Sequence, residues 1–197
     1  MTTLIKQYPL ESGALEIQFI EEHFGEFGRR KTAADILARL SDRPSLILMV
    51  EAPMPDDPGA LVPVAYKVVH ELRADEREPK LRDLVDRVRT SVAFDAQRVV
   101  YSWIGGTRRD WRGQGHFRAL SEEAEMWASA LGCGVMLAKT KNRFHDMRAA
   151  LAQLHFDVIK FEANATDNAQ SKLYYAKRLE AGLVRDPRSS RTVVVMD

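Results

Sequence analysis

Thr107-Arg108-Arg109-Asp110-Trp111-Arg112-Gly113-Gln114-Gly115-His116-Phe117 lies between a strand-like run, Arg98 to Ile104, and a helical stripe of Phe117, Leu120, Ala124, Trp127 and Leu131 that Gly132 ends. A strand that enters a helix through two closely spaced glycines lets several backbone N–H groups converge at the positive end of the helix dipole. The spacing predicts an anion site. The dipole supplies only about 0.3–2 kcal/mol per charge. A phosphate group therefore also needs direct hydrogen bonds and nearby cations, for which Arg108, Arg109 and Arg112 are candidates.

Two common phosphate loops are excluded. A nucleoside-triphosphate loop needs GxxxxGK[ST], and no Lys-Ser or Lys-Thr follows these glycines. A dinucleotide loop needs a third glycine, and Gly113 and Gly115 are followed by Arg118 in a chain that opens with helices. Just upstream, Gly105-Gly106 interrupts the strand pattern, which predicts a bulge or a close backbone approach beside a ligand.

Working outward, Val135 to Thr140 reads as a short strand joined to the preceding helix by a tight turn, the signature of a parallel crossover. Asn142 is placed to cap a further helix with Met147, Leu151 and Leu154 inward, and Phe156 to Phe161 and Ser171 to Leu179 follow as strands. Toward the N-terminus, Ile17, Ile20, Phe24 and Phe27 form one helical stripe. A second helix starts at Thr32 and is stopped by Asp42-Arg43-Pro44. Leu46 to Val50 and Leu61 to His70 are predicted to pair antiparallel. Between them and the decisive stretch, Leu81, Leu84, Val85, Val88 and Val92 behind Pro79 mark an amphipathic helix inserted at about residues 71–96. The tail beyond Gly182 has no predicted place.

Composition narrows the functional classes. The 197 residues, 45% of them hydrophobic, suit one folded domain. Twenty-nine Lys and Arg against 28 Asp and Glu give a net charge of +1, which leaves no field to steer nucleic acid or an anionic membrane. Cys133 is the lone cysteine, so no internal disulfide forms, and a reducing cytoplasm fits. Between glycines it reads as an inert buried thiol. His23, His70, His145 and His155 lack metal-ligand spacing, so no metal is expected. The first 13 residues hold no secretory h-region.

At Arg112, Gly115 and Phe117 the sequence resembles the GNAT superfamily of N-acetyltransferases, whose members carry Arg or Gln, two residues, Gly, one residue, then Gly or Ala at the start of a central helix. Trp111 stands at the aromatic before that motif, Asn142 with Met147 resembles the Asn-containing segment after the fifth strand, and Leu151 to Phe156 resembles the Tyr-x-x-Leu-Gly-Phe ending. The resemblance implies an α/β fold with a mixed, mainly antiparallel central sheet flanked by helices, in a single domain over residues 1–197. It implies acetyl-CoA as cosubstrate and no metal. The pyrophosphate would lie on the amides of Arg112, Gly113, Gln114, Gly115, His116 and Phe117. The pantetheine would run along Ile104, Gly105 and Thr107, with Asn142 on its other side.

The implied reaction is direct attack of a primary amine on the acyl carbonyl by a small-molecule or peptide acceptor, in a cytoplasmic monomer or homodimer. Three departures matter: Phe117 replaces a small residue, Leu151 replaces the tyrosine proposed to protonate the thiolate, and His155 replaces a glycine. The general acid and base are therefore unassigned, with Tyr101 a candidate beside Tyr174, Cys133 and solvent. The alternative reading is a non-catalytic acyl-CoA-binding or regulatory module. The inserted helix has two readings, a solvated flap that packs on the sheet or a wall of the acceptor pocket, and its place immediately before the strand carrying Gly105-Gly106 favours the wall.

Overall fold

The computed structural model describes residues 3–23, 30–54, 56, 57, 59–182 and 191–196. In chain order the elements are β1 (Thr3–Tyr8), α1 (Leu10–His23), α2 (Ala33–Leu40), β2 (Ser45–Pro53), β3 (Leu61–Leu72), α3 (Pro79–Val88), β4 (Arg98–Thr107), α4 (His116–Ala130), β5 (Cys133–Lys141), α5 (His145–Gln153), β6 (Asp157–Glu162), β7 (Lys172–Arg178) and β8 (Arg191–Val195). The strands hydrogen-bond in the order β6-β7-β5-β4-β3-β2-β1-β8, a mixed eight-stranded sheet in an α/β chain. Two compact units divide the chain: Met1–His70 with Ile104–Ala124 and Arg185–Asp197, and Glu71–Trp103 with Glu125–Val184. The strand β4 passes from the second into the first.

In the first unit, β2 pairs antiparallel with both β1 and β3, as predicted for β2 and β3, and the β2–β3 register shifts at Val50/Glu51. Helix α2 begins with a capping box: the Thr32 hydroxyl accepts from the Asp35 N–H and the Asp35 carboxylate accepts from the Thr32 N–H. Such a cap stabilises a helix by about 1 kcal/mol. Helix α1 begins at Leu10, ahead of the predicted stripe, and buries Ile17 and Ile20. Phe24 and Phe27 of the predicted stripe lie outside the described residues.

Strands β1 and β8 have no counterpart in the sequence reading. They pair parallel, from Thr3↔Arg191 to Gln7↔Val195, and β8 forms one edge of the sheet. Each is short: β1 has Lys6 and Gln7 between its apolar residues, and the apolar part of β8 is only Val193 to Val195.

In the second unit, β4 and β5 pair parallel from Arg98↔Cys133 to Ser102↔Ala138, and β7 lies antiparallel between β5 and β6. The predicted crossover is present. The inserted segment forms α3, with Pro79 in its first turn and Leu81, Leu84, Val85 and Val88 buried. They pack with Leu72, Val92, Val99, Tyr101, Val135, Leu137 and Tyr174 in one core cluster. Burying each such aliphatic side chain stabilises the fold by roughly 1.5–3 kcal/mol. Cys133 is buried, as expected.

Candidate functional site

The candidate site is built in the first unit, where the end of β4 meets α4. The Arg108 N–H donates to the Val64 carbonyl at 2.9 Å, so β4 stays on β3 to its last residue. The close approach predicted at the glycine pair is there: a Cβ on Gly105 would sit 2.9 Å from the Tyr66 carbonyl oxygen. In the second unit's β4–β5 pairing the irregularity falls at Arg98/Val99, away from the glycines.

After β4 the chain makes one 3-10 turn, Arg109–Trp111, whose N–H bonds run Trp111 to Arg108 at 2.9 Å and Arg112 to Arg109 at 3.3 Å. The Arg112 amide, expected in the anion cluster, is thus committed inside this turn. The cluster begins one residue later. Gly113 and Gly115 have φ of 76° and 81°, the left-handed region where glycine is unstrained, and a Cβ on either would meet nothing within 4 Å. Among the described residues no backbone acceptor takes the N–H groups of Gly113, Gln114, Gly115, His116 or Phe117, while the Gly115 carbonyl accepts the Ala119 N–H at 2.9 Å and so opens α4. Successive unsatisfied amides beside open space at a helix N-terminus form an anion cradle.

The three arginines do not act alike. Arg108 forks onto Asp110, with Nε to Oδ1 at 2.6 Å and a second bond to Oδ2, and this pairing holds the Asp110 carboxyl below the usual carboxylate range. Arg112 Nε donates to the Thr107 carbonyl at 3.2 Å, which ties the strand end to the loop. These bonds brace the loop from within.

His116 is only 9% exposed, although it stands in the first turn of α4. Neither ring nitrogen has a hydrogen-bond partner, and its ring lies 5.9 Å from that of Trp111 at 43°. Burial lowers its pKa and keeps it neutral. Phe117 turns its ring toward β3, where the Lys67 ammonium, on a residue only 3% exposed, lies 4.7 Å from the ring centroid. The ring that replaces a small residue therefore covers a buried cation. Sequence reading missed Lys67, because one lysine within an apolar strand carries no positional signal.

By sequence the chain matches no protein-family profile and no curated protein. Its structure does match solved ones. Arabidopsis thaliana NAA60 in complex with a bisubstrate analogue aligns over 88% of this chain and 97% of its own, at 15% identity and a TM-score of 0.66. A mosquito arylalkylamine N-acetyltransferase-like protein aligns over 90% and 100%, at 14% and 0.64. A GNAT-family acetyltransferase from Desulfovibrio desulfuricans aligns over 90% and 99%, at 13% and 0.62. The chain has the GNAT fold.

Against that fold the remaining motif residues lie in the second unit. The GNAT glycine position is held by His155, the one described non-glycine residue with positive φ, at 62°. It closes α5 as a Schellman motif: the Phe156 N–H donates to the Leu151 carbonyl and the His155 N–H to the Ala152 carbonyl, both at 3.0 Å. His155 is exposed, so its side chain is accommodated. Leu151, at the GNAT tyrosine position, is 2% exposed. Tyr101 belongs to the α3 core cluster.

Asn142 does not cap α5, whose N-cap is Phe144 without a side-chain bond. Instead its amide donates to the Asn168 carbonyl at 3.2 Å and accepts from Arg148 at 2.7 Å, while Phe144 N–H donates to the Lys141 carbonyl. These bonds form a turn that delays the helix by two residues. Among the described residues no three or more His, Cys, Asp or Glu are grouped to hold a metal, and no helix is long and apolar enough to cross a membrane.

Proposed function

We propose that the chain is an N-acyltransferase that moves an acetyl or other short acyl group from acyl-CoA to a primary amine on a small molecule or peptide, acting as one cytoplasmic domain over residues 1–197. The observation that carries this reading is the run of unsatisfied amides from Gly113 to Phe117 at the start of α4. It has the donor chemistry that a pyrophosphate needs, with open space beyond both glycines. The fold supports the reading, since several solved structures that share it are acetyltransferases, one of them bound to acetyl-CoA.

In this reading acyl-CoA supplies the activated carbonyl. The amides of Gly113, Gln114, Gly115, His116 and Phe117 bind its diphosphate, and Arg112 positions the loop through Thr107. Ile104, Gly105 and Thr107 offer strand backbone to the pantetheine, with Asn142 as a second contact. A strand N–H polarises the carbonyl as negative charge develops, the amine attacks directly to form the amide bond and loses its proton to solvent or to an unassigned base, and the C–S bond breaks to release CoA thiolate, which takes a proton from solvent or an unassigned acid.

The second reading, an acyl-CoA-binding module without turnover, is favoured by one observation: buried Leu151 stands where a proton donor is expected. Calorimetry with CoA tests the shared part. The expected wild-type affinity is near micromolar, about −8 kcal/mol, and Gly115→Glu, which puts a carboxylate at the cradle, should abolish it with the fold intact. Retained affinity in that variant overturns the loop assignment. Amine-dependent release of free thiol then separates enzyme from module.

A further inference from the structure

In the antiparallel ribbon β5-β7-β6, residues directly opposite one another share a face. The register places Lys139 opposite Tyr174 and Tyr174 opposite Lys160, and in the next row Lys141 opposite Lys172 and Lys172 opposite Glu162. Positions two apart along a strand also share a face. Four lysines and one glutamate therefore stand on a single side of the sheet around Tyr174, which is itself 1% exposed and packed in the α3 core cluster. Helix α3 adds Arg87 and Asp83 to their border, with Arg87 paired to Glu162 and to Asp83 at 2.8 Å. Five cations face two carboxylates in a chain whose net charge is +1.

The two carboxylates are already taken. Glu162 accepts from Arg87, from Lys172 at 2.9 Å and from the Tyr174 hydroxyl at 3.2 Å, and Asp83 accepts from Arg87. Lys160 donates to the Arg87 carbonyl at 3.0 Å and Lys141 to the Gln170 side-chain oxygen at 2.7 Å, both neutral acceptors. The Lys139 ammonium lies 5.6 Å from the centroid of the Tyr174 ring, with no carboxylate in salt-bridge range among the described residues. Like charges directly opposite across strands destabilise a sheet. Here Lys141 and Lys172 are such a pair, and Lys139 adds a third cation on the same face. The residue Lys139 is exposed overall, yet its ammonium is desolvated and its pKa is lowered, by burial first and by Lys172 next. A ligand bearing negative charge would offset the repulsion among these cations.

The spacing selects among anions. Rows two residues apart along a strand lie about 7 Å apart, which is also the separation of alternate side chains in an extended peptide. A single phosphate spans one row. The most fork-like donor, Arg87, is occupied, so the platform offers separated point charges rather than a bidentate clamp. The β4–β5 ladder ends at Ser102↔Ala138, one residue before Lys139. The platform thus starts where β5 leaves its partner strand.

We propose that the face formed by Lys139, Lys141, Lys160 and Lys172 binds an extended peptide with acidic side chains at alternate positions.

Fluorescence anisotropy tests this on the full chain with no acyl donor present, so failure of the CoA assignment leaves the measurement intact. The probe is a labelled peptide of alternating Ser and Glu, and the control replaces each Glu by Gln. The expected result is at least a tenfold preference for the Glu peptide at low salt, falling as salt rises, and lost in Lys139→Gln/Lys141→Gln. Should the double variant not fold, Lys139→Gln alone is expected to reduce the preference. Equal binding of the two peptides overturns the proposal, as does a preference that survives in a folded variant. Displacement of the Glu peptide by tripolyphosphate at lower concentration than by unlabelled peptide assigns the face to phosphate and overturns it too.

Discussion

The Tyr66 hydroxyl donates a 2.8 Å hydrogen bond to the Glu21 carboxylate, and both side chains are nearly inaccessible, at 1% and 2% exposure. The bond fastens β3 to α1. A second Glu21 oxygen accepts the Lys31 N–H, which leads into α2, so one carboxylate links three segments of the chain. Tyr66→Phe removes a donor from a buried acceptor and is expected to destabilise the fold by about 1–3 kcal/mol. Urea unfolding at pH 7 measures it, and an unchanged midpoint would refute the role.

The same carboxylate makes stability depend on pH in a defined direction. Burial raises the Glu21 pKa above its ordinary value of 4.5, outweighing the lowering by Tyr66 and Lys31. The folded state therefore holds a proton that the unfolded state releases. Its stabilising contribution is complete below pH 4.5 and is lost as pH rises through the higher folded value. Glu21→Gln should abolish this dependence, so the stability of wild type minus variant declines across that window. A difference that is flat or rises with pH contradicts it.

His116 gives the opposite slope. Its pKa is lowered by burial from 6.5, so its contribution is present above pH 6.5 and is lost as pH falls through the lower folded value. His116→Leu removes an imidazole with no hydrogen-bond partner. The variant should be at least as stable as wild type at pH 7 and should lack the acid-side slope below pH 6.5. Thermal unfolding in a pH series reads both outcomes together.

Gly105 and Gly113 separate two reasons for glycine. A Cβ at Gly105 meets the Tyr66 carbonyl at 2.9 Å, so Gly105→Ala forces the strands apart and should cost about 1–3 kcal/mol, near the cost of overpacking. At Gly113 there is space but φ is 76°, so Gly113→Ala should cost about 1–2 kcal/mol through backbone strain alone. The paired unfolding experiments should show the first change lowering cooperativity or packing and the second leaving the β4 contacts intact. Hydrogen exchange at Arg108, whose amide bonds to Val64, reports those contacts.

Cys133 is predicted to be chemically quiet. It is buried, and burial pushes its thiol pKa up, with only a partial opposing effect from Arg98. Iodoacetamide at pH 7.5 should modify the native protein far more slowly than the unfolded chain, and Cys133→Ala should leave acyl transfer unchanged. Rapid native alkylation, or loss of turnover in the folded variant, would reveal a reactive thiol.

The sequence made local rules legible and long-range ones less so. The Thr32 capping box, the buried stripe of α3 and the left-handed glycines before α4 all follow from spacing within a few residues. Arg112 shows the limit: its motif position was readable, but the 3-10 turn that consumes its amide was not. Asn142 was read as a cap because its residue type favours one, yet Asn168 and Arg148, distant or downstream in sequence, claim its amide. Strands β1 and β8 were invisible for a related reason: each is defined by a partner far away in the chain rather than by its own hydrophobic pattern. The lysine face likewise appears only once the strand register is known.

Because β8 reaches β1 in parallel, the backbone donors and acceptors along the outer side of β1 find their mates only when residues 191–195 arrive. During synthesis that flank stays open until residues 191–195 have been made, so the interval before its closure is when a nascent molecule is most apt to stick to its neighbours.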